Sequence, residues 1–293
     1  MDIQHLLAFM ARTMQKPGMR EERLTIKEKI PSYSPIQSNL RRLVPILDSI
    51  TNLCVKQKSH EVVAVALWVH NDVELLIATN TDVSPTTLNH LKSLWKALQQ
   101  LSIDYYIAHR ASGQSESSPP RLGIALLMSE AQNKEELFRR ECLKFVWERL
   151  KNRVNKKFSM FVVIDRKGID SESLFMHIYT CIVRLEQLYT SLGRPDSDDI
   201  WKALWYRMKV TERKIDAFLN DGGLHADDLW RVKDKWDYQQ WLRKIASITK
   251  DIEIIMGAAN SPKCRGIFAK RFKVTPIKMT LTTRNNILKT SQQ

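Results

Sequence analysis

Apolar residues along this chain follow two rhythms. Between Glu61 and Thr79 they come almost unbroken or in alternation. EVVAVALWV (Glu61–Val69) is β-branched and apolar nearly throughout, which suits a strand buried on both faces, and VELLIAT (Val73–Thr79) supplies a second. His70-Asn71-Asp72 between them is turn chemistry, because Asn and Asp tolerate left-handed backbone and hydrogen-bond locally, so the pair predicts a β-hairpin. Ser84 then offers an N-cap, with Pro85 at the first helical position, where its missing N–H costs nothing. Leu88, Leu91, Trp95 and Leu98 recur at spacings of three and four, widened by Leu94 and Leu101 into a helix stripe. Two strands alone are marginal in water, so the hairpin needs this helix and further strands packed on it.

Elsewhere the helical period dominates. Leu43, Ile46, Leu47, Ile50, Leu53 and Cys54 predict a helix over Leu40–Gln57, with Pro45 in its first turn. Further helices are expected from Ser129 to about Asn155, from Ser171 to about Leu192, from Ser197 to a stop at Asp221-Gly222-Gly223, near Ala226–Val232, and over Trp236–Ala259. Ile3, Leu6, Leu7 and Met10 mark a short amphipathic helix docked on the body. The brief apolar run Phe158–Ile164, ending at Asp165-Arg166-Lys167-Gly168, reads as a buried strand; Gly123–Met128 fits either a strand or a helix start. Pro17–Asn39 reads as a connection and the Ser-rich Ser112–Pro120 as a loop or linker. The resulting expectation is an α/β or α+β protein, mostly helical, with a small sheet (hairpin 61–79 plus strand 158–164) covered by helices. Its divisions are a hairpin–helix region (1–111), a linker or loop (112–120), a helical region (121–262) and a basic tail (263–293).

Composition changes this picture in one respect. The 293 residues, 43% hydrophobic and 27% charged, suffice for a sizeable core. No run approaches the ~20 consecutive apolar residues of a membrane span. The N-terminus lacks the basic start and small-residue cleavage site of a secretory signal. Four cysteines, far apart and without a CxxC, read as free buried thiols, so an intracellular setting, cytoplasm or nucleus, is expected. The net charge of +14, however, favours contact with nucleic acid or an acidic protein. After Glu253 there is no acidic residue but eight cations. Candidate nucleic-acid contacts are therefore Lys270, Arg271 and Lys273 in this segment and Arg139, Arg140, Lys144, Arg149, Lys151 and Arg153 on the 129–155 helix, where Glu135, Glu136, Glu141 and Glu148 partly offset them. Trp201, Trp205, Trp230, Trp236 and Trp241 either stack on bases or fill grooves between helices.

No constellation for catalysis is written in the chain. Nine glycines form no phosphate-binding loop, and neither GxSxG nor HExxH occurs. His70 and His90 read as structural, and Asp165 at a strand end has no second acid beside it. No catalytic, cofactor-binding or metal-binding residue is assigned, and no cofactor is expected. VVAVALWV, ELLIATN, VSPTTLNHLKSLWKALQQLS and the later WLRKIASITKDIEIIMGAANSPKCRGIFAKRFKVTPI nevertheless resemble the N-terminal region of a group of fungal proteins. In that family these segments precede a C-terminal deaminase-like zinc domain. Such a site needs His-x-Glu and Cys-x-x-Cys, since three ligands hold zinc while Glu moves protons. Here His60-Glu61 are adjacent, His225-Ala226-Asp227 carries the wrong acid, and no cysteine pair exists. The resemblance implies an isolated accessory region, not an active deaminase. The leading expectation is a non-enzymatic basic accessory or binding protein contacting nucleic acid; the alternatives are a degenerate relative of a deaminase-like enzyme and a structural protein-interaction module.

Overall fold

The computed structural model describes residues 35–56, 62–69, 71–80, 82–111, 128–162, 173–191, 197–221 and 237–277. These form an α+β fold, mostly helical, with seven helices and one three-stranded mixed sheet among them. The order is α1 (Pro35–Cys54), β1 (Val63–Val69), β2 (Val73–Thr79), α2 (Pro85–Ala111), α3 (Met128–Val162), α4 (Leu174–Ser191), α5 (Asp198–Asn220), α6 (Tyr238–Asn260), α7 (Pro262–Phe268) and β3 (Phe272–Ile277).

The hairpin forms as its pattern dictates: β1 and β2 are antiparallel, with Val63 opposite Thr79 and Val69 opposite Val73. Period two puts Val63, Val65, Val73, Leu75 and Ile77 on the inner face, against Leu91, Trp95 and Leu98 of α2 and Ile50 and Leu53 of α1. Ala64 and Ala78 turn to the other face, where they meet Ile277, while Trp68 on that same face is 48% exposed. Burial of β1 on both faces thus holds for its first half only. Ser84 caps α2, its Oγ accepting from the Thr87 N–H at 3.1 Å.

The third strand corrects the expected sheet. Phe158–Val162 is the last turn and a half of α3, not a strand, and 163–172 lie outside the described residues. The physical reason is phase. Phe158 and Phe161 continue the stripe of Leu150 and Val154 at spacings of four, four and three. Phe161 is fully buried against Phe175, Tyr179 and Trp241, with ring centroids 5.9, 5.6 and 5.1 Å away. A short apolar run carries no period of its own, and the preceding helix decides it. The strand that completes the sheet is instead β3, parallel to β2 with Val73 opposite Phe272. It lies in the stretch expected to be a basic tail.

Two helix boundaries also differ. α1 begins at Pro35, inside the expected connection, so Pro45 sits within the helix rather than in its first turn. Proline there forfeits a backbone hydrogen bond, and packing of the Ile46, Ile50 and Leu53 face outweighs that loss. α3 runs seven residues beyond Asn155. Ser197 caps α5, its Oγ accepting from the Ile200 N–H, and Asp221 ends it, as the sequence indicates. The expected helices at 3–10 and 226–232, Gly123–Leu127 and the Ser112–Pro120 stretch fall outside the described residues. One apolar cluster, from Ile46 to Phe268, joins α1, the inner sheet face and helices α2 to α7.

Candidate nucleic-acid interface

The sequence-derived candidates separate into two groups. On α3 the cations are spent on the fold. Arg139 donates from Nη2 to Glu135 at 2.7 Å, Arg140 reaches Asp198 at 2.5 Å and Glu141 at 3.3 Å, and Lys144 reaches Glu141 at 3.4 Å. Arg149 is buried, which takes it off the surface as a contact. Arg153 is half-buried and donates to the Lys244 carbonyl and to Ser247 Oγ, while its own carbonyl accepts from Trp241 Nε1 at 2.6 Å. Lys151, half-buried, is the exception, with no acid partner among the described residues.

Arg149 and Arg153 face a polar centre inside the molecule. Asp251 of α6 is buried there, and burial pushes its carboxyl up to about 7 even though hydrogen bonds from Ser49 and Asn52 of α1 and the charges of Arg149 and Arg153 pull the other way. Its Oδ2 has no hydrogen-bond partner among the described residues. His90 of α2 stacks flat on Phe145 of α3, centroids 3.6 Å apart. Burial, the largest influence, holds its imidazole down at about 4, so it is neutral and structural at pH 7. A carboxyl raised on folding holds more protons folded than unfolded, so its contribution to stability declines as pH rises from about 4, its unfolded range, through about 7. Urea titrations at pH 5 and pH 8 are expected to show that decline in the parent and its loss in Asp251→Asn. The slope is the readout, because the variant also deprives Arg149 of a carboxylate neighbour; equal slopes in the two proteins would remove Asp251 as the titrating group.

The second group lies where α7 and β3 dock. Trp95 packs on Phe268 and Phe272, centroids 5.1 and 6.3 Å away, and one turn later Gln99 Nε2 donates to the Phe268 and Lys270 carbonyls at 2.8 and 2.6 Å. Lys96 and Lys92 stand three and seven residues before Gln99, on the same side of α2, and both are exposed. Gln99 thus ties the side of α2 that carries Lys92 and Lys96 to the Phe268–Lys270 backbone, 169 or more positions away in sequence. Lys263 and Arg271 are exposed, and Lys92, Lys96, Lys263 and Arg271 have no acid partner among the described residues. Lys273 shares Glu74 with Thr275, at 3.1 and 2.7 Å, and is 65% exposed. Arg265 covers Tyr106, its guanidinium carbon 4.3 Å from the ring centroid.

Lys92 and Lys96 escaped the sequence reading, and Lys263 entered it only as one cation of the basic tail. Lys92 and Lys96 stand singly among neutral residues of a helix, so nothing local marks them as part of a basic surface. Of the tryptophans, Trp201 and Trp241 are buried in the helical core, Trp205 is half-buried, and Trp230 and Trp236 lie outside the described residues. Cys54, Cys142 and Cys264 are buried and Cys181 half-buried, all free; burial also pushes the Cys142 thiol up, away from nucleophilic use. Among the described residues no group of His, Cys, Asp and Glu is placed to hold a metal, and no helix is long and apolar enough to cross a membrane. Asp165 lies outside them. No protein-family model matches the chain, and neither a curated protein nor a solved structure does.

Proposed function

We propose that this chain is a non-enzymatic accessory protein that binds nucleic acid through the basic rim around β3. The supporting observation is that Lys263 and Arg271 of the docked 262–277 segment, and Lys92 and Lys96 on the side of α2 whose Gln99 holds that segment, are exposed and have no acid partner among the described residues. The cations of α3, by contrast, are mostly neutralised or buried. A rim of this kind attracts phosphates and releases their counterions, so it binds the backbone and reads little sequence. The resemblance to a region that precedes a zinc domain agrees with a part that carries affinity rather than catalysis.

Fluorescence anisotropy with a labelled single strand tests the proposal. Affinity is expected to fall steeply between about 50 and 200 mM salt, by a logarithmic slope of roughly 0.7 per phosphate contact. The double variant Lys96→Glu/Arg271→Glu is expected to bind more weakly and to lower that slope by about 1.4, roughly 0.7 for each of the two phosphate contacts removed. Absence of binding at the lower salt, or a slope that the double variant leaves unchanged, would overturn it. Binding of poly-glutamate without binding of the strand would point to an acidic protein as the partner instead.

A further inference from the structure

One face of α2 is open to solvent along most of its length. Ser93, Lys96, Gln100, Ile103, Ile107 and Arg110 are all exposed, and they follow one another at spacings of three, four, three, four and three. That rhythm keeps them in one line along the helix, over roughly 25 Å at about 1.5 Å per residue. Leu91, Leu94, Leu98, Leu101 and Tyr105 are buried on the opposite side, so the core contacts of α2 are made without this line. Ile103 and Ile107, 48% and 52% exposed, stand in its middle, one turn apart. Single exposed apolar side chains are ordinary. Two stacked on one face are explained neither by burial nor by helix propensity, since isoleucine is β-branched.

The rest of the line indicates the kind of partner. Lys96 and Arg110 bracket the isoleucines, and neither has an acid partner among the described residues. The flanks are already engaged: Asp104 meets Lys134 at 2.8 Å and accepts from Gln100 Nε2 at 3.0 Å, and on the other side Arg265 covers Tyr106. Alternating spacings of three and four are what one helix presents when its side chains seat between those of another. Phosphates gain nothing from the isoleucines, which sets this line apart from the basic rim although Lys96 belongs to both. Charge also disfavours a second copy of this chain as the occupant. Antiparallel pairing of the line with itself sets Lys96 against Arg110, and parallel pairing sets each cation against its like.

We propose that this line of α2 docks an acidic amphipathic helix of a partner protein, its apolar side chains over Ile103 and Ile107 and its carboxylates opposite Lys96 and Arg110. Isothermal titration of the full chain with two synthetic peptides tests it. Each is an alanine-based helix of about 21 residues, long enough to be helical alone, with two leucines one turn apart on one face. The outer positions of that face carry glutamate in one peptide and lysine in the other. The glutamate peptide is expected to saturate one site, with the lysine peptide at least about tenfold weaker. Ile103→Ser/Ile107→Ser alters only exposed side chains and is expected to weaken the glutamate peptide by about tenfold or more. Lys96→Glu/Arg110→Glu is expected to reverse the preference between the two peptides. Equal affinity for both peptides, undiminished binding by the isoleucine variant in a protein with parental circular dichroism, or no saturation below about 1 mM would each overturn the proposal. Binding of phosphatidylserine vesicles that the isoleucine variant loses, without binding of the glutamate peptide, would make the face a lipid surface and overturn it as well.

Discussion

Truncation after Ser261 is expected to destabilise the sheet and the helices packed on it, not merely to remove a charged extension. The deletion takes away β3, leaving β1 and β2 as an isolated pair, and two-stranded sheets are marginal in water. It also removes Cys264 and Phe268, buried at 8% and 3% exposure, and the ring of Phe272, so that Trp95 loses both of its aromatic neighbours. Loss of a buried phenylalanine costs about 3–5 kcal/mol by itself, against total domain stabilities of roughly 5–15 kcal/mol. The Gln99 amide and the Val73 N–H, which meet the Phe268, Lys270 and Arg271 carbonyls in the intact chain, are freed as well. A thermal melt followed by far-ultraviolet circular dichroism should show a much lower or vanished transition, and Phe268→Ala alone should account for about 3–5 kcal/mol of it in urea. A truncated chain that melts like the parent would mean that the segment is dispensable, and the basic rim would lose its structural basis with it.

Trp147→Ala should be the most damaging single substitution in the helical half. Trp147 of α3 is 2% exposed and meets Tyr189 of α4 and Trp201 of α5 edge-on, at centroid distances of 5.0 and 5.5 Å. It is the point at which three helices lock, and removing the indole leaves a void that none of them can close alone. The expected cost is about 3–5 kcal/mol, seen as a lower urea midpoint with an unchanged m-value. Tyr206, on α5 but 71% exposed, serves as the comparison: Tyr206→Ala should stay within about 0.5 kcal/mol. Similar losses for the two variants would show that Trp147 does not anchor the core.

Local signals in the sequence were sufficient where they were redundant. The hairpin carries strand-forming residues on both sides of a turn, and α2 carries a cap, a proline at its first position and a regular stripe, so each feature agrees with the next. Phe158–Val162 shows the opposite case. Its β-prone composition pointed to a strand, while its phase relative to Leu150 and Val154 pointed to a helix, and contacts with Phe175, Tyr179 and Trp241 settled the matter. Phe272–Ile277 was read through its charge, yet alternate residues Phe272 and Val274 pack on the core while Lys273 faces outward. Charge on one face of a strand says nothing about burial of the other.

By itself, the sequence determined a mainly helical protein with a hairpin near its start, strongly basic, without a legible catalytic or zinc motif, because composition and short-range period require no knowledge of distant neighbours. Only the tertiary structure decided which cations are available. Arg139 and Arg140 resemble Lys96 and Arg271 along the chain, but the first two meet acids of α3 and α5 and the others meet none among the described residues. The sheet's third strand was also a tertiary decision, since a parallel partner 193 residues from the end of β2 leaves no mark on either segment alone. Ion pairing, burial and long-range strand pairing depend on what the fold brings alongside, and that is information no local window contains.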